Sequence, residues 1–274
     1  MNATARLAGF GFALAGVLGA GAVLGAVVGP DVTRAEEEAP APIGEGVVGA
    51  EEGYRFVPSG PALDAGGGTF RFTITDQEGE RVRDFTPIHE RDLHLVVVSR
   101  ELTTFHHVHP TLDVDGTWSV ELPALAAGSY RAVADFQVAD GPRLALGTDL
   151  AVAGTYEPVE LGEPQATSTV DGYEVTLETE RGKGGEVTAA LTVRRDGEIV
   201  TDLEPYLGAN GHLVAMRAGD LAYAHVHPID DGDDDDGEAA SGAVRFDADL
   251  PSAGRYGLFF DFQHDGIVRT ASFT

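Results

Sequence analysis

The chain has no cysteine among its 274 residues, and its only methionines are Met1 and Met216. Without cysteine the chain cannot form a disulfide, a thiolate metal site, an iron–sulfur cluster or a cysteine nucleophile. Any metal site must therefore use histidine, methionine or carboxylate ligands.

Basic residues are scarce as well, because 18 Lys+Arg face 45 Asp+Glu and the formal net charge is −27. Nucleic-acid binding depends on a basic surface that neutralises phosphates, and a chain of this charge repels polyanions. We therefore expect no nucleic-acid partner. The charge keeps the protein soluble and attracts cations, but it names no function.

One long apolar run occupies residues 7–29, which are 23 uncharged positions between Arg6 and Pro30. As a helix this run reaches about 34 Å, enough to cross a hydrocarbon core of about 30 Å. The nearest cleavage-like site, at residues 33–35, is a poor one, so a retained anchor and a cleaved signal both stay open. An anchor makes the protein single-pass, with its C-terminal part outside the cytoplasm and the membrane as a partner. A cleaved signal makes it secreted.

The rest of the chain contains two copies of one module. A shift of 118 residues superposes 67–110 on 185–228 without a gap, and beyond that the shift becomes 126 because the second copy has an eight-residue insertion. The predicted organisation is an anchor or signal in residues 1–35, an acidic, proline- and glycine-rich linker in 36–53, module 1 in 54–154 and module 2 in 155–274.

Short alternating apolar runs, broken at close intervals by glycine, aspartate and asparagine, predict β-strands in both modules. Clear examples are residues 69–75 and 93–99 in module 1 and 187–194 and 213–217 in module 2. Six or seven short strands in about 100 residues are typical of a β-sandwich. We predict an all-β protein with two tandem immunoglobulin-like or cupredoxin-like β-sandwiches after an N-terminal transmembrane or signal helix.

Six of the nine histidines occupy matched positions in the pattern His-x12-His-x-His-Pro. They are His94, His107 and His109 in module 1 and His212, His225 and His227 in module 2. In module 2, Gly219-Asp220 suits a two-residue hairpin turn, which pairs Met216 with Tyr223. Because side chains alternate along a strand, the three histidines of each module then lie on one face and converge.

Converging imidazoles suit Cu(II), Zn(II) or Ni(II), and we favour copper, with zinc as the alternative. Further ligands are expected from nearby donors, which are Met216, Asp261 and His264 in module 2 and Asp135 in module 1. Module 2 has more donors, so tighter binding is expected there. Whether the two modules hold two ions or share one stays open. His106 is predicted to face away from the site, and His89 to lie at the surface.

The two histidine strings, which end in His107-Val-His-Pro110 and His225-Val-His-Pro228, resemble those of exported bacterial heavy-metal (copper)-associated proteins with cupredoxin-like or immunoglobulin-like domains. The resemblance covers residues 54–274. It implies extracytoplasmic binding of a metal, copper above all, by the six matched histidines.

We expect a membrane-tethered or secreted protein that binds a divalent transition metal for buffering, delivery or resistance. Two alternatives stay open: a two-domain copper-dependent redox enzyme, and a structural or interaction protein of the cell envelope that binds no metal. No motif indicates hydrolysis or nucleotide chemistry, so whether the protein is an enzyme is undecided, with the balance against it. An envelope protein or a second copy of the chain is a further candidate partner.

Overall fold

The computed structural model describes residues 45–60, 62–182, 186–229 and 242–274, and for His225 it describes the backbone alone. These residues form 20 β-strands and no helix, and both modules belong to one compact unit. The predicted all-β architecture of two repeated domains is confirmed. Within the described ranges no apolar helix is long enough to cross a membrane. The predicted anchor or signal in residues 1–35 lies outside them.

Module 1 is a sandwich of two sheets. Its strands are β1 (Ala50–Glu51), β2 (Tyr54–Pro58), β3 (Ala62–Leu63), β4 (Gly68–Thr75), β5 (Phe85–Thr86), β6 (Leu93–Ser99), β7 (Phe105–Val108), β8 (Thr111–Leu112), β9 (Trp118–Leu122), β10 (Gly128–Val138) and β11 (Arg143–Val152). One sheet has the order β1-β2-β4-β9-β8, and the other has the order β3-β11-β10-β6-β7 with β5 paired to β10.

The core of module 1 follows from strand alternation. In β4 the side chains of Phe70, Phe72 and Ile74 are buried, while Arg71 between them is exposed. The ring of Phe72 stacks on Trp118, with centroids 6.2 Å apart. The two sheets therefore pack through their inward apolar residues.

Module 2 repeats the sandwich with one difference in connectivity. Its strands are β12 (Thr167–Val170), β13 (Tyr173–Arg181), β14 (Glu186–Arg195), β15 (Glu198–Ile199), β16 (His212–Arg217), β17 (Tyr223–Pro228), β18 (Ala243–Asp249), β19 (Tyr256–His264) and β20 (Ile267–Phe273). Their order is β12-β13-β14-β18-β17-β16-β19-β20, with β15 on β14. Strand β17 first pairs with β16 and then, from His225 onward, with β18.

The two modules pack through a shared apolar cluster, which we call the junction cluster. It comprises Val96, Val98, Leu102, Val133 and Ala145 of module 1 and Val214, Met216, Leu221 and Phe259 of module 2. Beside it, the rings of Phe105 and Phe259 stack in parallel with centroids 4.0 Å apart. Strand β6 is buried along its whole length because its second face covers module 2.

The predicted two-residue hairpin turn is wrong, and its register holds only beside the loop. The predicted pairing of His212 with His227 is not formed, because β17 pairs with β18 from His225 onward. Met216 does pair with Tyr223, but residues 218–221 form a four-residue loop that closes with a 2.8 Å bond from the Arg217 N–H to the Ala222 carbonyl. Leu221 adopts a φ of 60° there. Leu102 does the same in module 1, with a φ of 59°. Both leucines insert into the junction cluster, and this burial stabilises their left-handed backbone.

Residues 45–53 were predicted to belong to a free linker, and this too needs correction. Residues 45–49, which we call the strap, are hydrogen-bonded to both modules: the N–H of Gly46 donates to Ala145 of β11, and the N–H of Tyr223 donates to Glu45, each at 2.8 Å. The strap passes so close to β11 that a Cβ at Gly147 would lie 1.8 Å from the Gly46 carbonyl oxygen. A glycine at position 147 is what permits this approach.

Candidate metal centre

Three histidines of module 1 converge at the end of the β6–β7 hairpin that lies away from its loop. His94 lies on β6, His107 lies on β7, and His109 follows β7 by one residue. Nδ1 of His94 is 3.0 Å from Nε2 of His107 and 3.2 Å from Nε2 of His109. All three candidate ligand atoms lie within 4.8 Å of one another. We call this group the histidine triad, and it contains the three residues that the hairpin pattern predicts for module 1.

In two of the three rings, the hydrogen-bond partners indicate which nitrogen carries the hydrogen. Nε2 of His94 is 2.8 Å from the carbonyl oxygen of Ile88, and Nδ1 of His107 is 2.8 Å from Oδ2 of Asp261. A carbonyl or an ionised carboxylate only accepts, so both of these nitrogens donate. In the neutral rings, Nδ1 of His94 and Nε2 of His107 therefore hold free lone pairs.

These two lone pairs face one another at 3.0 Å. When both rings are neutral, neither nitrogen has a hydrogen to offer, so the contact is favourable only with a proton or a metal ion between them. Two nitrogen ligands of a tetrahedral metal, each bound at 2.0–2.1 Å, lie about 3.3 Å apart. The distances from His94 to His107 and to His109, 3.0 and 3.2 Å, are within a few tenths of an ångström of this spacing, so the triad suits a transition-metal ion.

Burial favours the metal-binding form of His94 and His109. Desolvation lowers the pKa of His94 to about 4 and that of His109 to about 3, and the neighbouring imidazoles add to both shifts. Neutral imidazole is the ligating form. Protons therefore compete poorly for these nitrogens at neutral pH.

Module 2 contributes a carboxylate to the triad of module 1. Asp261 lies on β19, is 3% exposed, and accepts hydrogen bonds from His107 and from the hydroxyl of Thr270. Asp261 was predicted to be a ligand in module 2, but its carboxylate is hydrogen-bonded to a histidine of the other module. A carboxylate in this position orients a metal-bound imidazole and raises its basicity.

A duplicated turn positions one histidine in each module. The turns at residues 88–91 and 206–209 have the same pair of backbone hydrogen bonds and positive φ at their central residues. In module 1 the Ile88 carbonyl accepts from His94, and in module 2 the Tyr206 carbonyl accepts from Nε2 of His212 at 2.8 Å. His212 is therefore held in the same tautomer as His94, with its Nδ1 lone pair free.

His212 lies next to the triad. Its ring centroid is 6.4 Å from that of His94 and 6.2 Å from that of His107. A small cavity of about 40 Å³ opens between the modules here, and its lining includes His89, His94, His107, His212, Asp135 and Arg143. His89, predicted to be a surface residue, is half-buried with its ring 5.2 Å from that of His212. It was missed because its place in a turn resembles an exposed position.

Asp135 is not brought to the triad. Although it pairs with His94 in the sheet, its carboxylate binds the guanidinium of Arg143 at 2.9 Å and is hydrogen-bonded to the Tyr223 side chain. His106, as predicted, is not part of the triad, and it pairs with Val97.

The remaining predicted residues of module 2 have other surroundings. Met216 is fully buried in the junction cluster among apolar side chains, which removes it from the candidate ligands. His264 lies 2.8 Å from the hydroxyl of Tyr173, because strand alternation places it on the opposite face from Asp261. His227 is exposed on the part of β17 that pairs with β18. The side chain of His225 lies outside the described residues.

Comparison with known protein families shows which family this chain belongs to. The family described as "Domain of unknown function (DUF8832)" matches residues 50–154 and again residues 168–274. The chain belongs to the DUF8832 family. Each of its two modules is one DUF8832 domain, and the histidine triad lies wholly in the first. Among curated proteins none matches this chain.

Solved structures that match this pair of DUF8832 domains include immunoglobulin-like and repeat proteins. The BSP domain of a biofilm associated protein is 13% identical, with 81% of this chain and 30% of that chain covered and a TM-score of 0.23. A tetra-tandem repeat in the extending region of a large adhesion protein is 15% identical, with 81% and 49% covered and a TM-score of 0.27. A marsupial T cell receptor is 13% identical, with 81% and 95% covered and a TM-score of 0.23. The chain thus spans less than half of the first two, and no function is transferred from these similarities.

Proposed function

We propose that this protein binds a divalent transition metal at the histidine triad of module 1, outside the cytoplasm, in a buffering, delivery or resistance role. The observation that carries the proposal is the pair of lone-pair nitrogens, Nδ1 of His94 and Nε2 of His107, which face each other at 3.0 Å. Their other ring nitrogens are both engaged as donors. Two buried lone pairs that face each other without a hydrogen between them form a site suited to a cation.

The donor set supports Cu(II) as the metal, with Zn(II) as the alternative. Three imidazole nitrogens suit both ions, and Cu(II) binds most tightly in the general affinity order of divalent metals. With Met216 in the junction cluster and no cysteine in the chain, the triad has no soft sulfur ligand for Cu(I). We do not propose the copper-dependent redox enzyme, because apolar side chains fill the junction where that enzyme needs a substrate cleft.

The extracytoplasmic location is supported by the uncharged run at residues 7–29. Either a retained anchor or a cleaved signal places residues 45–274 on the same side of the membrane.

The test is metal titration of the full-length chain, purified in detergent and stripped with a chelator. We expect tight, stoichiometric binding of Cu(II) or Zn(II). His94→Ala should weaken it by more than the roughly 10–100-fold that an outer-shell change costs. His106→Ala is the matched control, because it lies on the same hairpin outside the triad, and it should bind as the wild type does. Absence of stoichiometric binding, or equal binding by His94→Ala with native circular dichroism, would overturn the proposal.

A further inference from the structure

We propose that a single metal ion is shared by both modules, with Nδ1 of His212 completing from module 2 the coordination that the triad begins in module 1. The inference rests on the proposed metal site and adds its fourth ligand and its stoichiometry. It also gives module 2 a defined part in a site that lies in module 1.

The first argument is the spacing of the rings. Two imidazoles that share a tetrahedral metal, each bound at about 2.0–2.1 Å, have their centroids about 5 Å apart. Within the triad the three centroid distances are 4.9, 5.0 and 5.2 Å. His212 lies 6.2 Å from His107 and 6.4 Å from His94, about 1 Å beyond this spacing. His212 is outside the group whose ligand atoms lie within 4.8 Å of one another, so sharing the ion requires its ring to approach the triad by about 1 Å.

The second argument is the chemistry of the free nitrogen. The Tyr206 carbonyl holds the Nε2 hydrogen of His212 just as the Ile88 carbonyl holds that of His94. Both rings therefore present Nδ1 as an acceptor. Among the described residues, no hydrogen bond reaches Nδ1 of His212, so this acceptor is available to an ion or a water molecule.

The third argument is the space between the modules. The lining of the cavity of about 40 Å³ includes His212 of module 2 and His94 and His107 of module 1, together with charged groups and apolar side chains. The cavity is large enough for an ion or a water molecule. Apolar side chains of the junction cluster close the region beside it.

A separate site in module 2 is less well supported. In the described residues β16 and β17 pair only at Ala215 and Met216, and β17 then moves to β18. His227, which is exposed, therefore pairs with β18 and not with His212. His212 instead shares its position in the sheet with Asp261, since the two are paired across β16 and β19. One patch of module 2 thus supplies both a ligand and the carboxylate that orients His107.

The experiment uses the full-length, chelator-stripped chain loaded with Cu(II). Calorimetry gives the stoichiometry, and the nitrogen couplings in the electron paramagnetic resonance spectrum count the bound imidazoles. We expect one equivalent of Cu(II) and four nitrogens. His212→Gln should keep one equivalent, lose one nitrogen and bind at least about tenfold more weakly. His264→Gln, a module 2 histidine on the opposite sheet face, is the control and should behave as the wild type.

Every other outcome has a defined meaning. Two equivalents, one of which is lost in His212→Gln, would overturn sharing in favour of one site per module. One equivalent with three nitrogens in the wild type would show that module 1 holds the ion alone. No stoichiometric copper in the wild type would instead refute the proposed function itself. The nitrogen count of the wild type is decisive even where a variant fails to fold.

Discussion

Modules 1 and 2 carry the same histidine pattern, but their hairpins differ. In module 1, β7 stays paired with β6 from Phe105 to Val108, and His107 remains beside His94. In module 2, β17 leaves β16 after Ala224 and pairs with β18 from His225 onward. The eight-residue insertion of module 2 lies in the connection between β17 and β18. Duplication has therefore produced two unequal halves, of which only the first shows a complete triad within the described residues.

The equivalent carboxylates show how the halves became complementary. Asp261 of module 2 accepts from Thr270 and from His107 of the other module. Asp135 of module 1 faces Ala145 where Asp261 faces Thr270, and its charge is satisfied by Arg143. The two equivalent aspartates thus have different partners: Asp261 accepts from His107 of the triad, and Asp135 forms an ion pair with Arg143.

The largest expected effect concerns equivalent positions of the junction cluster. Met216→Ala should cost about 2–5 kcal/mol of unfolding free energy, because it leaves a cavity in a fully buried site. Val98→Ala, its counterpart in module 1, should cost less because it removes fewer atoms. Met216→Leu should cost under about 1.5 kcal/mol and leave metal affinity unchanged. Urea unfolding and metal titration check these values. Loss of copper binding in Met216→Leu would mean that the methionine is a metal ligand after all.

The second prediction tests whether the two turn-anchored histidines are equivalent. Desolvation first of all lowers the pKa of both His94 and His212 to about 4, from about 6.5 in the unfolded chain. The unfolded state therefore takes up protons first, so the metal-free protein should lose stability as the pH falls from 6.5 to 4. We expect a loss of about 1–3 kcal/mol for each histidine. The charged and titratable neighbours of the two rings include His89, His107, His109, Asp135 and Asp261.

Thermal unfolding between pH 7 and 4.5 measures this slope. His94→Gln and His212→Gln should each make it shallower, and comparison with the wild type cancels the contribution of the many carboxylates. Equal flattening indicates that the modules retain equivalent pockets. A wild-type slope unchanged by either substitution would contradict the burial of the neutral rings.

The smallest expected effect separates the two aspartates. Asp261→Asn should lower copper affinity about 10–100-fold, because the amide no longer holds the Nδ1 hydrogen of His107 as a charged acceptor. It should also move the pH profile of binding. Asp135→Asn loses the ion pair with Arg143 and should leave affinity unchanged. Equal losses of affinity in both variants would mean that the carboxylates act through stability alone.

Local features of the molecule could be predicted because they depend on chain length and alternation. The pairing of Met216 with Tyr223 follows from the number of residues in the hairpin, and the grouping of His94 and His107 follows from the period of two. The same rule, applied strictly, separates Asp261 from His264, which lie three residues apart and so face opposite sides.

Features that depend on how the modules dock could not be predicted from local pattern. The bond between His107 and Asp261 joins residues 154 positions apart, and the burial of His89 depends on the neighbouring module. One signal was available, since the consecutive valines at positions 96–98 are typical of a strand covered on both faces. These valines indicate that a second part of the molecule packs on the strand, but not which part it is.

The strap has a mechanical consequence. Tension that reaches residue 45 from the N-terminal side is carried first by the hydrogen bonds to Ala145 and Tyr223, which belong to different modules. The load therefore enters at the seam between the sandwiches rather than at the end of one of them.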